Sequence, residues 1–325
     1  MMSIQTSSRP RYSPSGYRIR LRTTQNRVLL VEGSSDKRAF QQLFHEARDQ
    51  GFAEPATGLT IDTAEFLDSP GGVALGNREK VEAVCQGMQP PDAFPHFVGF
   101  SDREFRRFDD VALVDQIAGH EIQGRLVWSR GHSTENYFFD AGTLVLAFRA
   151  IAATESFAEA VVLFEEVFAD LVRLSSAMSL AARDTQRLGL VSGTIDRTII
   201  SITDRSVSID TTAWHRNLMR QTANNGSVSR AVISSYASWE QRLRGADADF
   251  LRWTCHGHVG FASLWAGYSR CVLEVSANEV EANRVFRAPA DARQDVTADA
   301  WARRVITGHA DYPREVLAML QFHKV

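Results

Sequence analysis

Acidic residues stand just past three apolar stretches. Glu32 follows Val28-Leu29-Leu30-Val31, Asp102 and Glu104 follow Phe97-Val98-Gly99-Phe100, and Glu135 comes soon after Leu126-Val127-Trp128-Ser129. Packing does not call for an acid in any of these places. In a parallel sheet all carboxyl ends lie along one edge, where open α/β sheets bind their ligands, so acids far apart in sequence can converge there. Several carboxylates in a low-dielectric cleft repel one another, and a hard divalent cation offsets that repulsion. Oxygen-only ligands suit Mg²⁺ or Mn²⁺ rather than zinc. Such an ion polarises a phosphoryl group, activates water and stabilises a leaving oxygen. Arg103, Arg106 and Arg107 cluster beside the second acid pair, where they read either as phosphate contacts or as a solvated basic face.

The elements that must position these acids follow from hydrophobic periodicity. Val28–Val31 is an apolar run that reads as a strand buried on both faces. Ala39, Phe40, Leu43, Phe44 and Ala47 mark one face of a helix from Asp36 to about residue 50, capped by Ser34 or Ser35. Asp36 in its first turn also favours the helix dipole. A second strand is expected at Thr60–Thr63, a loop at Ser69-Pro70-Gly71-Gly72, and a helix from about Asn77 to Met88. Pro90, Pro91 and Pro95 then break the chain. A third strand is expected at Phe97–Phe100, a helix from Asp109 to Ala118, and a fourth strand at Leu126–Ser129. This alternation predicts an α/β fold with a mostly parallel sheet flanked by helices. The later chain predicts a large helical insertion or second domain. It comprises a long helix carrying Phe157, Val161, Phe164, Phe168, Leu171 and Leu174, a β-rich stretch over Thr194–Ser208, a helix capped by Asp210, and another started by Ser227 or Ser229. Phe250–Trp253 reads as strand-like, an apolar helix runs from Phe261 to about Val272, and two weaker helices close the chain around 297–307 and 313–322.

These segments divide the chain into a basic flexible arm (1–25), a sheet domain (26–140), a helical insertion (141–248), a return to the sheet body (249–275) and C-terminal helices (276–325). The chain has 325 residues, 44% of them hydrophobic and 23% charged, which fits an ordinary buried core. It has no run of 18 apolar residues and no apolar signal-peptide core, so a cytoplasmic protein without a membrane span is expected. Three scattered cysteines, Cys85, Cys255 and Cys271, fit a reducing compartment. The net charge is -3, yet residues 1–31 carry six arginines and no acid, leaving -9 on the remainder. A basic leader on an acidic body reads as a disordered segment or as a phosphate-binding arm.

The motifs resemble a known fold. Val31-Glu32-Gly33-Ser34-Ser35-Asp36 after one strand and Phe100-Ser101-Asp102-Arg103-Glu104-Phe105 after another look like the TOPRIM fold of topoisomerases, primases and OLD-family nucleases. With Lys37 and His132-Ser133-Thr134-Glu135-Asn136-Tyr137 added, the chain resembles more closely a TOPRIM-like family that accompanies ABC-type ATPases in bacterial anti-phage defence, where the ATPase restrains a TOPRIM effector nuclease. By that resemblance Glu32, Asp36, Asp102, Glu104 and Glu135 are the metal ligands. Glu32, Asp102 and Glu104 then carry the chemistry, and Lys37 joins Arg103, Arg106 and Arg107 as a nucleic-acid contact. The pattern departs from the family in two places. Asp-x-Asp is Asp102-x-Glu104, which keeps the charge on a longer arm. The late Gly-Lys is Gly257-His258, which makes His258 a general acid or hydrogen-bond donor in the lysine's place.

The resemblance implies a Mg²⁺- or Mn²⁺-dependent endonuclease acting on DNA or RNA. Its partner is an ABC-type ATPase on a separate chain, because this sequence has no Walker A motif. The helical region 141–248 is the expected docking surface for that ATPase or for a second copy. The alternative is a non-catalytic module that docks on an ATPase. A zinc site of Cys255, His256 and His258 with His132 is compact, but it lacks a second ligand pair at standard spacing.

Overall fold

The computed structural model describes residues 11–53, 58–69, 74–88 and 90–324. In chain order the elements begin with helix α1 (Pro14–Thr23), strand β1 (Arg27–Val31), α2 (Ser34–Asp49), β2 (Phe52–Ala53), β3 (Leu59–Thr63), α3 (Asn77–Gln86) and β4 (Phe97–Ser101). Four short strands follow: β5 (Phe108–Asp109), β6 (Val114–Asp115), β7 (Ile122–Gln123) and β8 (Leu126–Trp128). Then come α4 (Ala141–Ile151), α5 (Phe157–Asp184), α6 (Leu188–Gly193), β9 (Ile200–Thr203), β10 (Ser206–Ile209), α7 (Thr211–Gln221) and α8 (Gly226–Arg242). The chain closes with α9 (Ala248–Thr254), α10 (Gly257–Ser276), α11 (Glu279–Phe286), α12 (Ala290–Ile306), α13 (Arg314–Met319) and β11 (His323–Lys324). Two compact units result. One holds residues 1–102, 119–129 and 313–325; the other holds 103–118 and 130–312.

The first unit is α/β. Its five-stranded sheet runs β3-β1-β4-β8-β7. β3, β1, β4 and β8 are parallel, with Leu29 opposite Ile61 and Val98, and Phe100 opposite Val127; only β7 is antiparallel. The first, third and fourth expected strands, β1, β4 and β8, are parallel neighbours, but Glu135 belongs to the other unit rather than to this sheet. Both faces are covered, as the continuous apolar text of β1 requires. Val28, Leu30, Phe97 and Trp128 pack with Tyr17 and Leu21 of α1 and Val81 and Val84 of α3. On the opposite face Phe40 of α2 meets Phe100 edge-on, centroids 5.0 Å apart. Gly99 sits in the middle of β4 because α3 passes close above it: a Cβ there would lie 2.5 Å from Cys85 Sγ.

The second unit is helical. α5 buries Ala160, Phe164, Val167, Leu171, Leu174 and Met178 at helical spacing. α10 crosses it at Gly267, where a Cβ would stand 2.6 Å from Leu171 Cδ1. Phe148 of α4 stacks on Tyr268 of α10 with centroids 3.8 Å apart. Burying each ring contributes about 2–3 kcal/mol. The β-rich stretch over Thr194–Ser208 folds as a hairpin of β9 and β10.

Several expectations are corrected. Residues 11–25 are not an arm. Pro14 at the first helical position and Ser13 at the N-cap start α1, Tyr17 and Leu21 are core, and Arg20 and Tyr17 both bond Asp62 of β3. Residues 1–10 of that arm and residues 70–72 of the Ser69–Gly72 loop lie outside the described residues. Asp109–Ala118 is a hairpin of β5 and β6 rather than a helix. Asp109 Oδ1 accepts from Val111 N and Ala112 N, turning the chain, and Leu113 at φ 56° lies in the left-handed region. Phe250–Trp253 is α9 rather than a strand, started by Asp247, whose carboxylate accepts from Phe250 N. A four-residue apolar run does not separate strand from buried helix, and here the cap decided. The stretch 249–275 therefore belongs to the helical unit, not to the sheet body, whose last pieces are α13 and β11. α8 starts at Asn225 rather than Ser227 or Ser229.

Candidate functional site

The sheet unit brings together the acids that end its central strands. Glu32 is the first residue past β1. Its Oε1 accepts from Asp102 N at 2.8 Å and from Ser101 Oγ, at the end of neighbouring β4. Both carboxylates thus start from one corner at the carboxyl edge of the sheet. Asp36 lies a turn away in α2, 8% exposed, and its Oδ2 accepts from Gly33 N at 3.1 Å. It closes the helix N-terminus, as its position predicts.

Glu65 is an acid that the sequence reading passed over. It follows β3, the other neighbour of β1, by two residues. A Cβ on Gly33 would stand 3.7 Å from Glu65 Oε1 and 4.0 Å from Asp36 Oδ2, so the two carboxylates flank the glycine. The signal was present: a strand ending in an acid, the same pattern that singled out Glu32.

The helical unit holds the other named residues. Arg103 is fully buried. It bonds Asp115 and the carbonyls of Arg106, Arg107 and Arg130, and its guanidinium lies 4.0 Å from the Phe108 ring centroid. Its donors serve the loop that carries them, so Arg103 is a brace and not a phosphate contact. Glu104 is exposed at φ 52° and gives its N–H to the His132 carbonyl at 2.8 Å. A non-glycine residue in that region costs about 1 kcal/mol. Arg107 is exposed and Arg106 half-buried, so both present charge at the surface.

His132–Tyr137 is a buried turn. Asn136 Oδ1 accepts from Ser133 N at 2.8 Å, and its Nδ2 donates to the carbonyls of Arg252 at 2.7 Å and Cys255 at 2.8 Å. His132 N donates to Trp253 O, and Tyr137 OH accepts from Arg130 N. The turn is therefore tied to the joint between α9 and α10. Glu135, 7% exposed, faces that joint. A Cβ at Gly257 would overlap Ser133 Oγ and lie 2.5 Å from Glu135 Oε2, so only glycine leaves room for the carboxylate. The next residue, His258, is 74% exposed and places Nε2 3.6 Å from Glu135 Oε1. Glu135 and Gly257-His258, from two separate motifs of the sequence, are thus neighbours.

His132, His256 and His258 form a row, with ring centroids 4.5 and 5.6 Å apart. Burial pushes His256 down to about 4, helped by the His258 charge and opposed by Glu135, so its ring is neutral at pH 7. Cys255 lies beside Ser179, and burial lifts its thiol to about 12. Among the described residues no group of three or more His, Cys, Asp or Glu side chains is arranged to hold a metal ion. Mg²⁺ does not need such a cage: it is commonly held by one or two carboxylates, with waters and substrate phosphate completing its shell. The oxygen donors of Glu32 and Asp102 fit that requirement in kind.

No described helix is long and apolar enough to cross a membrane. No protein-family model and no curated protein matches the sequence.

Proposed function

We propose that this protein is a metal-dependent endonuclease of TOPRIM type that hydrolyses phosphodiester bonds of DNA or RNA. It would act as the effector of a bacterial anti-phage system restrained by an ABC-type ATPase. The observation that carries the reading is Glu32 at the end of β1 bonded to the first backbone N–H past β4, with Asp102 on that same residue. Two acids from adjacent parallel strands then share the edge where such sheets bind ligands.

In this reading Glu32 and Asp102 hold Mg²⁺ or Mn²⁺, and the bound ion supplies polarisation of the phosphoryl group and activation of water. Ser101 and the Asp102 N–H fix the Glu32 carboxylate through Oε1. Asp36 keeps α2 closed behind Gly33. Lys37, Arg106 and Arg107 attract the phosphate backbone. Glu104, Glu135 and His258 are assigned to the same reaction by motif, with the exposed His258 ring offering an N–H to a leaving oxygen.

Incubating the purified protein with plasmid, single-stranded DNA and tRNA, with and without Mg²⁺ or Mn²⁺, tests the reading. Metal-dependent cleavage that Asp102→Asn and Glu135→Gln each abolish is expected. The departures from the family pattern at Glu104 and Gly257-His258 favour a second reading, a non-catalytic module docking on an ATPase. Partner capture by wild type and Asp102→Asn alike, with no nucleic acid cut under any condition, would select it.

A further inference from the structure

A cavity of about 500 Å³ opens in the sheet unit, walled by α1, α2 and the edge strand β3. That volume is in the range of small-ligand sites. Its walls mix three kinds of group. Tyr12, Tyr17 and Phe66 supply aromatic surface, with Phe66 37% exposed. Arg20 and Lys37 supply positive charge. Asp62 supplies a hydrogen-bond acceptor: the Tyr17 hydroxyl at 2.7 Å and Arg20 at 2.6 Å both bond its Oδ2, and neither uses Oδ1. Arg20 lies 5.4 Å from the Tyr17 ring centroid, so the wall is held in place before any ligand arrives.

A bare anion would not need the aromatic rings and would be repelled by Asp62. An apolar ligand would leave the Lys37 ammonium and the Asp62 Oδ1 acceptor without use. A nucleotide satisfies all three groups. Its base stacks on an aromatic ring, an exocyclic amino group donates to Asp62, and the phosphate meets Arg20 or Lys37. The cavity also adjoins the strand-end acids of the same unit. Lys37 follows Asp36 in α2, and Thr63, a lining residue, bonds Glu65 through its hydroxyl. A base pair stacked within a duplex cannot present one base to a recess.

We propose that this cavity takes one unpaired base and its phosphate, so that the substrate class is single-stranded nucleic acid. The significance of the neighbouring acids rests on the nuclease reading, but occupancy of the cavity does not. Binding is therefore measured in EDTA, without cleavage, as the anisotropy of end-labelled oligonucleotides. Wild type is expected to bind an adenine- or cytosine-rich strand more tightly than a thymine-rich strand or a blunt duplex. Phe66→Ala is expected to weaken strand binding about tenfold, the loss of one stacked base. Gln41→Trp, which obstructs the mouth from an exposed position on α2, is expected to do the same. Two folded variants that bind the strand as wild type does would overturn the proposal. So would AMP binding that the strand does not displace, which would mark a pocket for free nucleotides. Strand binding that depends on Phe66, in a protein that no metal makes cleave, keeps the cavity and removes the nuclease.

Discussion

The Glu32 corner of the sheet unit and the Glu135 turn of the helical unit hold their acids in opposite ways. Glu32 sits past the end of a strand, half-buried, with one oxygen fixed by a backbone N–H and a serine hydroxyl. Glu135 sits 7% exposed in a turn whose own residues are all buried, in space kept open by Gly257 at the start of α10. The first arrangement arises wherever a parallel sheet ends. The second exists only because Asn136, Gly257 and the α9–α10 joint were built around it. Substitutions among the residues that build each place should therefore cost more stability around Glu135 than around Glu32.

The largest loss is expected at Arg103. Arg103→Ala removes a buried guanidinium and leaves Asp115 and three carbonyls short of donors, at a cost of about 4 kcal/mol. Arg107→Ala, at an exposed position, should stay within about 0.5 kcal/mol. Urea unfolding of the two variants reads the difference. Similar stabilities would return Arg103 to the phosphate-binding group.

Asn136→Ala comes next. It strands two carbonyls and one N–H in the buried turn and should cost about 3 kcal/mol in the same measurement.

The two glycines give the sharpest contrast. Gly257→Ala pushes a methyl group into Ser133 and Glu135 and should cost about 2 kcal/mol. Gly33→Ala meets only ordinary contacts at 3.7 Å and beyond and should cost less than about 1 kcal/mol. Equal losses would mean that the space around Glu135 is not specially kept.

A pH dependence is expected from the helical unit. Burial favours the neutral His256 ring, with its pKa near 4 against 6.5 when unfolded. The unfolded chain thus binds this proton first, so stability falls as pH drops from about 6.5 towards 4 and the loss is complete below that. His256→Gln should flatten that part of the stability curve, and an unchanged slope would assign it to other groups.

Much of the sheet unit was legible in the sequence. An apolar run with both faces buried, punctuated by Gly33 and Ser34, carries its own strand and helix signals, and the parallel order of β1, β4 and β8 follows from the alternation. Glu65 carries the same strand-end signal, set two residues past β3 instead of directly after it. The helical unit was legible only in its long helices. Asp109 carries the same local signal as a helix cap and as a turn, and only the positive φ of Leu113 tells them apart. Phe250–Trp253 fits either a strand or one turn of a buried helix. Arg103 reads as an exposed charge until the carbonyls around it are known. Those partners lie between 3 and 27 residues away, and no short-range pattern encodes them.

Thermal melting of wild type and Glu32→Gln, each with and without Mn²⁺, bears most directly on the strand-end acids as a metal site. A ligand that binds only the native state raises stability by about 2.7 kcal/mol at a hundred times its Kd. Wild type should melt at a higher temperature in Mn²⁺, and Glu32→Gln should fold normally but show no rise. An equal rise in both proteins, or none in either, would contradict Glu32 as a ligand.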